Sequence, residues 1–199
     1  MDAAVRLTAT GGARALTARA IGAEARANQA LVFYHFGSVE NLLREAYAQA
    51  TRVMVQDYAD ELAAATTFAE LYAVGDRLGR QSREDGSAAL LTHVMAAAHT
   101  DAEMAAALAD SLGVWREVVT AAVHRVVARH GLDGAVDADG LAGTLAASTI
   151  GMVTVDALPG APLGRTMSAL EPLPRVVDTL AARFPRALAR RLARSVGGR

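Results

Sequence analysis

Leu16 to Leu43 reads LTARAIGAEARANQALVFYHFGSVENLL, and this run decides the fold. Thr17 precedes a segment whose apolar positions Ile21 and Ala25 recur at four-residue spacing, so the sequence predicts a short helix capped by Thr17. Arg26-Ala27 makes a tight corner, and Asn28 caps a second short helix. At about 100° per residue, Leu31, Val32 and His35 share one face of that helix, which is expected to bury. Gln29, Ala30, Phe33 and Tyr34 share the other face, a small amide- and aromatic-bearing surface. Gly37 ends the helix and Ser38 caps the next one. Two short helices joined by a tight turn make a helix-turn-helix, whose second helix enters the DNA major groove.

The rest of the chain is consistent with an all-α fold. Its 199 residues suffice for one large domain or two small ones. The sequence holds 46 Ala and 20 Arg but no Lys, and it shows no sustained two-residue alternation of β-branched or aromatic residues. Helices are expected over 2–9, 17–25, 28–35, 38–65, 67–83, 87–99, 101–130, 137–157 and 166–194, the last broken near Pro185. Three short helices followed by long ones suggest an N-terminal module, 1–47, joined to a larger helical bundle, 48–199. The boundary falls inside the long fourth helix, because no Pro/Gly linker intervenes.

Composition excludes several chemistries. Without Cys there is no disulfide, thiolate metal site or cysteine nucleophile. Residues 93, 99, 124 and 130 are His but lack metal-binding spacing, so no metal and no cofactor are expected. Asp133, Asp137, Asp139 and Gly140 resemble a calcium loop only faintly: aligning Gly140 leaves Ala135 and Ala146 where carboxylates are required, and Asp137 reads as a helix cap. No catalytic constellation is present, so no enzyme is expected. The start of the chain lacks a basic stretch followed by an apolar run, and the longest uncharged stretches, 87–100 and 140–155, are short for a bilayer. A cytoplasmic protein without a membrane partner is therefore expected. The net charge of −1 hides an uneven distribution: residues 1–47 carry +1, and 175–199 carry +6 on seven Arg and one Asp. The basic tail is either a second contact for DNA or an acidic partner, or a solvated terminal helix.

The 16–43 run resembles the DNA-binding segment of TetR-family transcriptional regulators. The residues that carry the likeness are Leu16-Thr17, Arg19, Ile21, Ala25, Phe33, His35, Phe36, Ser38, Glu40, Leu42 and Leu43. Three departures stand out: Arg26 replaces the family's turn glycine, Val39 a common lysine, and Phe33 a tyrosine. The resemblance implies that Gln29 reads a base, because an amide pairs bidentately with adenine, and that Ala30 and Phe33 meet thymine methyl groups. It also implies phosphate contacts from Thr17, Arg19, Arg26, Tyr34 and the helix start around Ser38, with Asn28 at the start of the reading helix. The alternative for Phe33 and Tyr34 is plain packing within the module.

The resemblance further implies a homodimeric repressor on a double-stranded DNA operator, released by a small-molecule effector. Candidate interface residues are Leu141, Leu145, Ile150 and Gly151 on one helix and Val176, Val177, Leu180 and Phe184 on another, which together would form a four-helix contact. The alternative is that both helices pack within one chain. Candidate residues for a largely apolar ligand are Tyr72, Leu91, Met95, His99, Met104, Leu108, Trp115, Val119, Thr149, Met152 and Val153, and ordinary core packing is the competing reading of each. A different class of function stays open as well: an all-helical ligand- or partner-binding protein whose helix-turn-helix no longer works on DNA.

Overall fold

The computed structural model describes residues 1–11, 16–156 and 169–183, and among them it is helical throughout. The helices are α1 (Asp2–Gly11), α2 (Ala18–Glu24), α3 (Gln29–Phe36), α4 (Val39–Ala64), α5 (Phe68–Glu84), α6 (Ser87–Ala98), α7 (Ala102–Arg129), α8 (Ala138–Asp156) and α9 (Pro172–Arg183). The last expected helix, 166–194, is described only at α9. Phe184 and the basic tail lie outside the described residues.

Capping side chains set most helix starts. The side chains of Thr17, Asn28, Ser38, Thr67 and Asp101 each accept a backbone N–H from the first turn of the helix that follows. Asp137 does the same for α8, accepting from Gly140 N at 3.0 Å, which fits a cap rather than a calcium ligand. Gly37 and Gly86 take positive φ at helix boundaries, where a side chain would be strained.

Two apolar clusters hold the helices together. One lies in the bundle, where Tyr58 and Leu62 of α4 and Val74 and Leu78 of α5 meet Trp115, Val119 and Val123 of α7. Ala122 and Ala142, both fully buried, let α7 and α8 approach closely. The other cluster joins the N-terminal module to the bundle: Ala4, Leu16, Ile21, Val32, Leu42, Leu43 and Tyr47 pack with Leu90 and Val94 of α6 and Met104 of α7. The head therefore has no separate core, and α6 is part of its floor.

Two expectations are corrected. On α3 only Val32 is buried, with Phe36 partly so, whereas Leu31 is 45% exposed and His35 is exposed. The helix ends one residue later than expected and turns its Val32–Phe36 edge, rather than Leu31 and His35, onto the core. In addition, α8 is long and apolar enough over Ala138–Val155 to cross a membrane by length and composition. Within the fold, it packs Ala142, Ala146 and Val153 inward.

Candidate nucleic-acid interface

An eight-residue helix is not stable alone in water. α3 buries one side chain fully, worth roughly 1.5–3 kcal/mol, so its ends and its contact with α2 must supply the rest. Asn28 Oδ1 accepts from Ala30 N at 2.9 Å, and Gly37 N closes the other end on Phe33 O at 2.9 Å. The α2–α3 contact rests on Gly22, a glycine inside a helix. A Cβ there would lie 2.9 Å from Ala27 O and 3.0 Å from Gln29 N, both backbone atoms. Ala27 N in turn bonds Gly22 O at 2.8 Å. Gly22 thus fixes how closely α3 sits on α2. The sequence reading did not single it out, although a mid-helix glycine, disfavoured by about 1 kcal/mol, is itself a signal of close approach.

The corner between the helices is strained. Arg26 has φ 52°, the one positive-φ non-glycine among the described residues. This is the site where the family pattern has glycine, and a side chain there costs on the order of 1 kcal/mol.

What α3 leaves uncovered is a compact mixed surface. Gln29 and Ala30 are exposed at its start, Phe33 is 54% exposed and Tyr34 81%. These exposures do not fit packing within the module. The Tyr34 ring stands edge-on to His35 at 5.0 Å, so His35 joins this surface, which the sequence reading missed. Thr17 Oγ accepts from Ala20 N at 3.2 Å, and Ser38 Oγ accepts from Asn41 N at 3.1 Å, which places both caps beside exposed helix starts. Arg19 and Arg26 are exposed and make no ion pair among the described residues. Two other head arginines are engaged: Arg6 pairs with Glu24 at 2.7 Å, and Arg44 bridges Asn41 and Glu103, joining α4 to α7.

A short helix with polar and aromatic groups outward, two flanking caps and two unpaired guanidinium groups is a helix-turn-helix head of the DNA-binding kind. Residues 1–46 match the N-terminal domain of the bacterial regulatory proteins of the tetR family. This match supports a DNA-binding transcriptional regulator and covers the head alone; the remaining 153 residues lie outside it. No curated protein and no solved structure gives a match to the chain.

The other candidate residues are spread over the bundle. Leu91, Met104 and Leu108 belong to the cluster under the head, and Trp115 and Val119 to the bundle core. Met95 is half-buried on α6, and His99 is exposed at its C-terminal end. Thr149, Met152 and Val153 gather against Gly75 and Gly79 where α8 crosses α5. Tyr72 lines an open cleft of about 500 Å³ together with Arg77, Arg80, Glu171 and Arg175, a more ionic lining than the sequence suggested. Among the described residues, Met95 and His99 apart, these candidates divide between the two cores, the α5–α8 crossing and the open cleft.

On α8, Leu145 and Gly151 are exposed, Ile150 is half-buried, and Leu141 packs partly into its own bundle. On α9 the arrangement is inverted relative to an ordinary amphipathic surface helix. Leu173, Val176, Val177 and Leu180 are 55, 50, 43 and 49% exposed, while the inward line is Pro174, Asp178 and Ala181.

Proposed function

We propose that the protein is a homodimeric repressor that sets two α3 helices into successive major grooves of a palindromic operator. The observation that carries this reading is the outward Gln29–Ala30–Phe33–Tyr34 face on a helix pinned from behind by Val32 and Gly22. Gln29 reads a base, Ala30 and Phe33 meet thymine methyl groups, and Thr17, Arg19, Arg26, Tyr34 and Ser38 hold phosphates. Asn28 holds the start of the reading helix. The strained Arg26 fits this role, since a guanidinium at the corner offsets its backbone cost through a phosphate contact.

Dimerisation is supported by the uncovered aliphatic face of α9, and on α8 by exposed Leu145 and Gly151 with half-buried Ile150 and Leu141. Residues 1–47 act as the reading head and 48–199 as the regulatory part, although they share a core. A small, largely apolar effector taken up between the body helices, with the Thr149–Met152–Val153 strip as its nearest candidate wall, releases the DNA. It does so by binding one spacing of the two heads better than the other. The shared cluster of Leu90, Val94 and Met104 with the head gives such a shift a mechanical path.

Footprinting on the DNA upstream of the gene tests this reading. The expected result is protection of two symmetric half-sites about one helical turn apart. Absence of any footprint at low salt contradicts it.

A further inference from the structure

We propose that His130, Asp178 and the first turn of α5 form a proton-gated clasp that fastens α9 to the bundle. Asp178 is the charged member of α9's inward line. Its Oδ1 accepts from Phe68 N and its Oδ2 from Ala69 N, each at 2.9 Å. The next amide, Glu70 N, is taken by Thr67 Oγ at 3.1 Å, so a side chain from a distant helix completes the cap of α5. Oδ1 of Asp178 also lies 3.3 Å from His130 Nε2, at the end of α7, with side-chain exposures of only 17 and 12%. The His130 ring lies 5.4 Å from that of Phe68, the residue whose amide is capped.

The gate follows from the other ring nitrogen. His130 Nδ1 is 2.9 Å from Val126 O. A carbonyl only accepts, so Nδ1 carries a proton in this geometry. A neutral imidazole has one proton, which would leave a lone pair on Nε2 facing the Asp178 carboxylate. Only the doubly protonated ring satisfies both neighbours, and it adds opposite charge across a largely dry contact. Other charged residues on the surrounding elements are already engaged: Glu70 by Thr66 and Thr67, and Arg175 by Glu171. Arg129 precedes His130 on its own helix, and Asp133 follows in the loop; both are exposed. Loss of the second proton therefore opens the clasp and loosens α9. Its consequence for dimer strength rests on the dimer reading above, but the clasp itself does not.

Amide hydrogen exchange at Phe68 and Ala69, corrected for the intrinsic pH dependence of exchange, tests the clasp in the full chain at a concentration where only one oligomeric state is present. Protection is expected to be lower at about pH 8 than at about pH 5, because the clasp needs the second ring proton. His130→Gln, whose amide donates at any pH, is expected to give a flat profile. A flat wild-type profile, or a His130→Gln profile with the wild-type slope, overturns the proposal. Ring-nitrogen shifts of the wild-type histidine decide the matter should the variant not fold. A neutral ring protonated on Nδ1 at high pH supports the gate, and one protonated on Nε2 overturns it, because the clasp would then stay closed.

Discussion

Helices α3 and α9 both turn a face to solvent, but the two faces differ in kind. That of α3 carries an amide, a methyl group and two aromatic rings on eight residues. That of α9 carries four aliphatic side chains and no polar group within the stripe. The first can pair with base edges and stack on sugar or base, and it is small enough to enter a groove. The second gains nothing from DNA and gains most from another aliphatic surface. They are also held differently. α3 rests on a buried core shared with α6 and α7, whereas α9 has no buried apolar residue and is tied down through Asp178. α3 is thus anchored by packing, and α9 by polar contacts.

Leu180→Asp should break this contrast most sharply, by putting a charge in the aliphatic stripe. Dimer affinity is expected to fall on the order of a hundredfold while the monomer keeps its fold, as read by sedimentation and circular dichroism. An unchanged dimer would remove α9 from the interface.

Alkaline titration should discriminate between the two anchoring modes. Burial pushes the Tyr47 phenol, part of the core beneath α3, up to about 12, partly offset by its hydrogen bond with Thr51. A raised folded value means that the neutral form is favoured in the native state. The stabilisation is complete below the ordinary value of 10.0 and is lost as pH rises through about 12. The loss approaches roughly 3 kcal/mol, from about 1.4 kcal/mol per pH unit. Tyr47→Phe should flatten the stability profile in that window, as measured by urea unfolding at stepped pH.

Gly22→Ala should act on α3 alone. The added methyl group meets two backbone atoms, so α3 must move, at about 1–3 kcal/mol of stability, and DNA affinity should fall while dimerisation does not. Arg26→Gly should give the smallest change, and one of opposite signs. Relief of the positive φ should stabilise the chain by about 1 kcal/mol, raising Tm by roughly 2–4 °C. Loss of one phosphate contact should weaken binding and make its salt dependence shallower by roughly one unit of slope.

The helices were legible in the sequence because their punctuation is local: Thr17, Asn28, Gly37, Ser38 and Asp137 act within their own turn. The α3 face was only half legible. Pattern at 100° per residue places Val32 correctly, but Leu31 and His35 depend on which neighbours arrive to cover them, and none does. Spacing within α8 and α9 marked the apolar residues without saying which side of the helix the bundle would take. The role of α6 in the head's core, and the meeting of Asp178 with His130 and the α5 amides, join residues far apart in sequence, and no periodicity encodes such contacts. For the candidate ligand residues spacing does not choose between the two readings, because an apolar side chain at helical spacing looks the same in a core and at a pocket wall.

Base reading by α3 is tested most directly by competitive titration of the upstream DNA with wild type and Gln29→Ala at fixed salt. Gln29 is exposed, so the variant should fold and dimerise as before. The expected result is a loss of about 1–3 kcal/mol against the specific site with unchanged affinity for unrelated DNA. Equal affinity of both proteins for specific and unrelated DNA would contradict base reading by this helix and favour a body that binds ligand or partner beneath a silent head.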